Sequence, residues 1–313
     1  MSPTWAADAA PRSVVSRHSA ALQDGRSLDA PALLHFFDES ARDLPWRRPS
    51  ATPWAVLISE VMLQQTPVSR VLPVYTQWVH RWPGPADLAA DSPADAIRAW
   101  GRLGYPRRAM RLHAAATAIT VEHSGVVPNS VHTLLTLPGI GDYTARAVAA
   151  FAFGARTPVV DTNVRRVLSR VVRGVDEPRE PATRADRDLL ESLLPVQPAE
   201  AARFSAAVME LGAPVCTART PACGSCPLAA GCRWRLAGSP VGTARRPVQT
   251  WHGTDRQMRG RMIAVLRDSA GAVPESALSR VADDPSQGAR CLASLLADGL
   301  LVRVGSDLVD LPA

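Results

Sequence analysis

Four of the five cysteines in this chain fall within one short loop, CTARTPACGSCPLAAGC, running from Cys216 to Cys232. The spacing is C-x6-C-x2-C-x5-C. Four thiolates so placed can enclose either a zinc ion or a 4Fe–4S cube, and the chemistry of the sulfurs alone does not separate the two. Disulfides are the other use of such a cluster. The first 28 residues are rich in Ala, Ser, Arg and Asp and lack an apolar h-region, so no secretory signal is read and a cytosolic, metal-binding loop is expected. Cys291 stands apart and reads as a buried core thiol.

Around this loop the chain is patterned for helices. Its 313 residues, 46% of them apolar, suffice for about two domains of roughly 150 residues. Helical periodicity marks 30–40, 54–66, 68–80, 93–101, 106–123, both sides of a turn within 131–154, and 199–212. A helix that Asp161 could start follows, and the charged, Pro-containing stretch 176–188 reads as surface. Residues 1–28 read as a disordered tail and 237–252 as a linker. Residues 253–313 form three short helical patterns followed by two apolar runs around Gly305-Ser306, a hairpin signature. Helices followed by a hairpin predict a small winged-helix-like module. No run of about 18 apolar residues occurs, so no membrane association is expected.

The net charge is +6 and the pI about 9.6, a balance compatible with nucleic acid. All 35 basic residues are Arg, so no lysine Schiff base can form.

Three sites carry chemistry. In LPGIGDYTA, Gly139 and Gly141 allow a sharp turn into a helix whose free N–H groups suit a phosphate oxygen. In LISEVMLQQTP, Glu60 lies inside an apolar run, where burial favours the protonated carboxyl. In VVDTNVRRV, Asp161 reads as an N-cap, where the helix end favours the anion. Two carboxyl groups in contrasting settings form an acid–base pair. Cleavage of a sugar–base bond uses such a pair, one acid protonating the leaving base and one anion facing the oxocarbenium-like sugar.

The strings LPWRR, SEVMLQQT, LPGIGDYTA, VVDTNVRRVLSR, MELGAPVC and the four-Cys loop occur in this order between about residues 30 and 236. They resemble the MutY-type adenine DNA glycosylases of the helix-hairpin-helix, endonuclease III superfamily. The resemblance implies an all-α fold: a six-helix barrel (45–154) and an iron–sulfur cluster domain (29–44 plus 155–236), together the catalytic region 29–236. It also implies a 4Fe–4S cluster on Cys216, Cys223, Cys226 and Cys232. Carried over by position, Glu60 matches the general acid, Asp161 the transition-state stabiliser, Asn163 its polar helper, and Tyr143 the family Tyr where the endonuclease III lyases have Lys. Trp46, Arg47, Leu63 and Glu210 match residues around the extruded adenine, and Gln65 and Thr66 a DNA-contacting pair near Gln64. Tyr105, with Gly139 and Gly141, matches the DNA-contacting set. The implied activity is monofunctional: hydrolysis of adenine from A·8-oxoguanine or A·G mispairs in double-stranded DNA, by a cytoplasmic bacterial monomer on the chromosome. Two departures bear on selectivity. The chain reads RLGYP where the family commonly has GLGYY, and the last ~75 residues do not match the Nudix-like domain of many members. The alternatives are an endonuclease III-like glycosylase/lyase, which Tyr143 and the absence of Lys oppose, and a non-enzymatic iron–sulfur DNA-binding regulator, which would leave Glu60 and Asp161 idle.

Overall fold

The computed structural model describes residues 28–178, 183–241 and 251–313. Residues 1–27 of the expected tail and 242–250 of the expected linker lie outside the described residues. Leu28, assigned to the tail from sequence, is buried in a core instead. The chain divides into two compact units. Of the described residues, one unit joins 44–153 with 251–313, and the other joins 28–43 with 154–241.

In the cysteine-bearing unit, α1 (Ala30–Ser40) starts at Asp29, whose carboxylate accepts from the Ala32 N–H at 3.0 Å. The first unit then contributes α2 (Pro53–Leu63), α3 (Val68–Arg81), α4 (Pro85–Ala90), α5 (Pro93–Trp100), α6 (Arg107–Glu122), α7 (Val131–Leu134) and α8 (Asp142–Phe153). Helix α2 is buried over Trp54–Met62. Its residues are apolar almost all round, and such a helix belongs at the centre of a bundle. Helix α3 is amphipathic and buries Val71, Tyr75 and Trp78 at helical spacing. Trp78 meets Trp82 and Trp100 edge to face, with ring centroids 4.7 and 5.4 Å apart.

The cysteine-bearing unit continues with α9 (Thr162–Leu168), which widens into a π-helical turn over Ser169–Arg173. Helix α10 (Arg184–Leu193) follows and then α11 (Pro198–Glu210), which also widens, over Leu211–Val215. Helix α12 (Arg233–Leu236) closes the cysteine loop. Leu33, Val167, Phe204, Leu211 and Trp234 are among the side chains of this core.

The C-terminal segment forms α13 (Asp255–Arg267), β1 (Val273–Pro274), α14 (Glu275–Ser279), α15 (Pro285–Ala297), β2 (Val302–Arg303) and β3 (Leu308–Asp310). The sheet order is β1-β3-β2, all antiparallel, with Val309 opposite both Val273 and Arg303. This is the winged-helix order, with β1 added to the hairpin read from sequence. The module belongs to the same unit as α2–α8 and is tied to it by ion pairs Arg107–Asp298 (3.2 Å) and Arg98–Asp310 (3.9 Å). No helix among the described residues is long and apolar enough to cross a membrane.

Three sequence expectations are corrected. Helix α2 ends at Leu63 instead of 66, because Gln65 takes a positive φ of 56°. Helix α4 was missed. Helix α10 was also missed: it starts at Arg184 inside the charged stretch 176–188, where Asp186 is buried and most other described residues are exposed or half-buried as surface, and its start is fixed by a reciprocal Thr183–Asp186 capping box.

Candidate active site and cysteine centre

Glu60 sits on α2 with 5% of its surface exposed. It falls among Leu57, Ile58, Val61 and Met62, all buried. The end of this helix is fastened by one residue the sequence did not single out. Arg108, buried on α6, donates from Nη1 to the carbonyls of Val61 (3.0 Å), Met62 (3.0 Å) and Gln64 (2.6 Å). Its Nη2 donates to Thr66 Oγ1 and the Gly104 carbonyl, both at 3.0 Å. The last carbonyls of a helix lack intrahelical partners, and one guanidinium supplies them here. Its burial lowers its pKa to about 10.

The expected DNA-contacting turn is thereby shaped. Thr66 is buried and held by Arg108, Gln64 donates to Thr144 Oγ1 at 3.2 Å, and Gln65 is exposed. Trp46 is buried edge-on against Tyr75, with centroids 5.0 Å apart. Arg47 and Leu63 are half-buried. In the hairpin, Gly139 has φ +75°, and a Cβ there would lie 2.6 Å from Arg111 Cβ, so glycine is required on both counts. A Cβ at Gly141 would meet nothing within 4 Å, which leaves the approach to the first turn of α8 open. Tyr143 is half-buried in that turn.

Asp161 lies in the other unit as the N-cap of α9, as its sequence suggested. Its Oδ1 accepts from the Val164 N–H at 2.7 Å and its Oδ2 from Asn163 Nδ2 at 2.9 Å. Burial nevertheless pushes this carboxyl above its ordinary pKa, while Val164, Asn163 and the charge of Arg166 pull it down. The helix end alone had suggested a stabilised anion; desolvation outweighs it. Asn163 is itself held, its Oδ1 accepting from Arg166 Nη2 at 2.7 Å. Arg166 also donates to the carbonyls of Gly212 (2.6 Å) and Cys216 (2.7 Å). A Cβ on Gly212 would stand 2.7 Å from Asn163 Cβ and 2.9 Å from its carbonyl oxygen. Only glycine lets α9 and the end of α11 approach so closely.

Glu210 is fully buried, and its carboxylate is gripped by Arg42: Nε to Oε1 at 2.6 Å and Nη2 to Oε2 at 2.9 Å. In this unit its carboxylate therefore ties the residues after α1 to the end of α11.

Cys216, Cys223, Cys226 and Cys232 line one cavity with Val171, Leu211 and Trp234. Burial and the neighbouring sulfurs raise the Cys226 thiol to about 11, so four thiolates here call for a cationic group between them. Four thiols on the wall of one cavity are a donor set that can take a zinc ion or a 4Fe–4S cube. Arg170 backs this wall, its Nη1 3.6 Å from Cys216 Sγ and its Nη2 paired with Asp176 at 2.7 Å. Cys291 lies outside the loop and is buried in the C-terminal module, as expected. Arg108, Arg166, Arg170 and Gly212 are the residues that sequence reasoning missed.

Residues 58–192 match the HhH-GPD superfamily of base excision DNA repair proteins, and residues 216–232 match the iron–sulfur binding domain of endonuclease III. The chain is 56% identical to an adenine DNA glycosylase of Mycolicibacterium smegmatis, over 88% of this chain and 93% of that one. It is 43% identical to an adenine DNA glycosylase of Homo sapiens over 65% of this chain, a stretch that spans 39% of the human protein. A solved thermostable thymine-DNA glycosylase superposes with a TM-score of 0.63 at 28% identity, over 69% of this chain and 99% of that one. The chain carries the 4Fe–4S cluster of its family in the matched region 216–232, and it belongs to the adenine DNA glycosylases of the HhH-GPD superfamily.

Proposed function

We propose that this chain hydrolyses the N-glycosidic bond of adenine mispaired with 8-oxoguanine or guanine in double-stranded DNA, and leaves an abasic site. The observation that carries the reading is the burial of Glu60 in the middle of an otherwise apolar helix. A carboxyl in such a setting serves as a proton donor to an extruded base. In the step we assign, the bond between C1′ and N9 breaks with its electron pair leaving on the purine, which takes a proton from Glu60. The Asp161 carboxylate, oriented by Asn163, faces the oxocarbenium-like sugar. Water then adds at C1′, and its proton returns to a carboxylate. Tyr143 stands at the position of the lyase lysine, and no Lys exists in the chain to attack C1′.

The 4Fe–4S cluster supplies a rigid centre for residues 216–232. Arg166 and Arg170 join that loop to α9 and its continuation, the helix that Asp161 caps. Trp46, Arg47, Leu63, Gln65 and Thr66 are assigned to the base pocket and DNA turn, Glu210 to its support, and Tyr105, Gly139 and Gly141 to the duplex. The domain reading is a catalytic region over 29–236 followed by the winged-helix-like module over 253–313, working as a cytoplasmic monomer.

The experiment is single-turnover cleavage on a panel of duplexes, each with one defined pair: A·8-oxoguanine, A·G, A·T, T·G, U·G or an oxidised pyrimidine. Adenine release confined to the first two is expected, with only a modest preference for 8-oxoguanine over guanine. Release of thymine or an oxidised pyrimidine in preference to adenine would overturn the assignment.

A further inference from the structure

The loop 101–106 is bent at three successive points of left-handed backbone: Gly101 (φ +57°), Gly104 (φ +83°) and Tyr105 (φ +49°). A positive φ is costly for a bulky side chain and persists only where neighbours enforce it. The neighbours are visible. Trp100 Nε1 and Arg108 Nη2 both donate to the Gly104 carbonyl, at 2.9 and 3.0 Å. The ring of Tyr105 is thereby held outward, 41% exposed, with the Arg108 guanidinium 5.6 Å from its centroid.

A second guanidinium comes from the C-terminal module. Arg256, in the first turn of α13, lies 4.8 Å from the Tyr105 centroid and 5.3 Å from that of Trp251. Its neighbours are paired with carboxylates: Arg259 with Asp298, Arg261 with Asp283, Arg290 with Asp255. Among the described residues Arg256 forms no ion pair, and its guanidinium meets the two rings instead. Its position is secured by the pairs that dock the module on α5 and α6.

An exposed aromatic ring backed by cations is a platform on which a nucleobase stacks. We propose that Arg256 is a positioning residue for Tyr105, which makes the C-terminal module part of the surface that receives a base of the bound duplex next to the mispair. This inference rests on the reading of the chain as acting on mispaired DNA. It places the tail of the chain in base recognition although no Nudix-like reader was recognised there.

The test is a double-mutant cycle in the full-length protein. Arg256→Ala, Arg256→Lys and Arg256→Met are compared in the natural background and with Tyr105→Leu, by equilibrium binding and single-turnover release on A·8-oxoguanine and A·G duplexes. 2-Aminopurine beside the mispair reports stacking by its fluorescence. Removing one exposed cation–ring contact should weaken binding by about 2- to 5-fold. Arg256→Lys should recover part of that loss and Arg256→Met none. In the Tyr105→Leu background all three should become indistinguishable from Arg256, and the fluorescence change should vanish with Tyr105→Leu and shrink with Arg256→Ala. Additive losses would show that Arg256 acts on phosphate independently of the ring and would overturn the proposal, as would an Arg256→Met variant that behaves as the natural protein. Should Arg256→Ala fail the folding control by circular dichroism, the Lys and Met variants complete the cycle. Natural protein that releases no adenine would sink the functional reading; adenine release with additive losses would sink this inference alone.

Discussion

Gly212→Ala probes whether the fit between α9 and the end of α11 sets the catalytic geometry. The added Cβ would fall 2.7 Å from Asn163 Cβ and 2.9 Å from the Asn163 carbonyl oxygen. Carbon atoms rest about 3.5–4.0 Å apart, so the two segments must separate by about 1 Å. Both colliding partners belong to, or lie next to, main chain, so no side-chain rotation relieves the contact. Overpacking of this kind costs about 1–3 kcal/mol, and each kcal/mol lowers Tm by about 2–4 °C in a chain of this size class. The larger effect falls on rate. Asn163 carries the 2.9 Å bond that orients Asp161 and accepts the 2.7 Å bond from Arg166. A displacement of about 1 Å at a reacting group costs on the order of 100-fold. The assay is single-turnover adenine release on an A·8-oxoguanine duplex, with a thermal melt alongside. Gly260→Ala is the control, since a Cβ there meets nothing within 4 Å. A Gly212→Ala protein with natural rate and Tm would refute the packing argument. A lowered Tm with natural rate would refute the link from Asn163 to Asp161.

Asp161→Asn should abolish most turnover yet stabilise the fold at neutral pH. The folded-state pKa of Asp161 is raised by burial, so its ionisation opposes folding above that value and the penalty fades as pH falls toward the ordinary carboxylate range; the Tm gain of Asn, itself a good N-cap, should shrink along the same path, and a constant gain at all pH values would contradict this. With no Lys in the chain to attack C1′, the proposed monofunctional reading expects that borohydride traps no enzyme–DNA adduct and that strands break only after alkali; efficient trapping would contradict it. Cys223→Ser should lower iron and labile sulfide per chain and weaken visible absorbance, and full iron content would remove Cys223 from the ligand set.

The sequence shows a motif most clearly where one segment suffices for it. The N-cap role of Asp161 needs only the residues up to Val164, and the cysteine loop needs only its own spacing. The amphipathic stripe of α3 is written at a period of 3.6 and was found within a residue of its ends. Helix α4 spans PADLAA, too short to display that period. Helix α2 was extended three residues too far because the turn at Gln65 that ends it is held by Arg108, more than forty positions away, which captures the last carbonyls. Arg166 and Gly212 escaped for the same reason: their partners lie about fifty residues off and are met only in the packed core. The upward shift of Asp161 likewise depends on burial by neighbours that the local sequence does not reveal.

Replacing Glu60 by Gln keeps the shape of the buried side chain and removes the proton it would deliver. The most direct measurement is the single-turnover rate of Glu60→Gln on an A·8-oxoguanine duplex, taken with its affinity for the same duplex. The account predicts a loss of at least ~100-fold in adenine release, with affinity for the mispair retained and iron content unchanged. Adenine release at close to the natural rate by a folded, cluster-bearing Glu60→Gln protein would take Glu60 out of the mechanism and contradict the account.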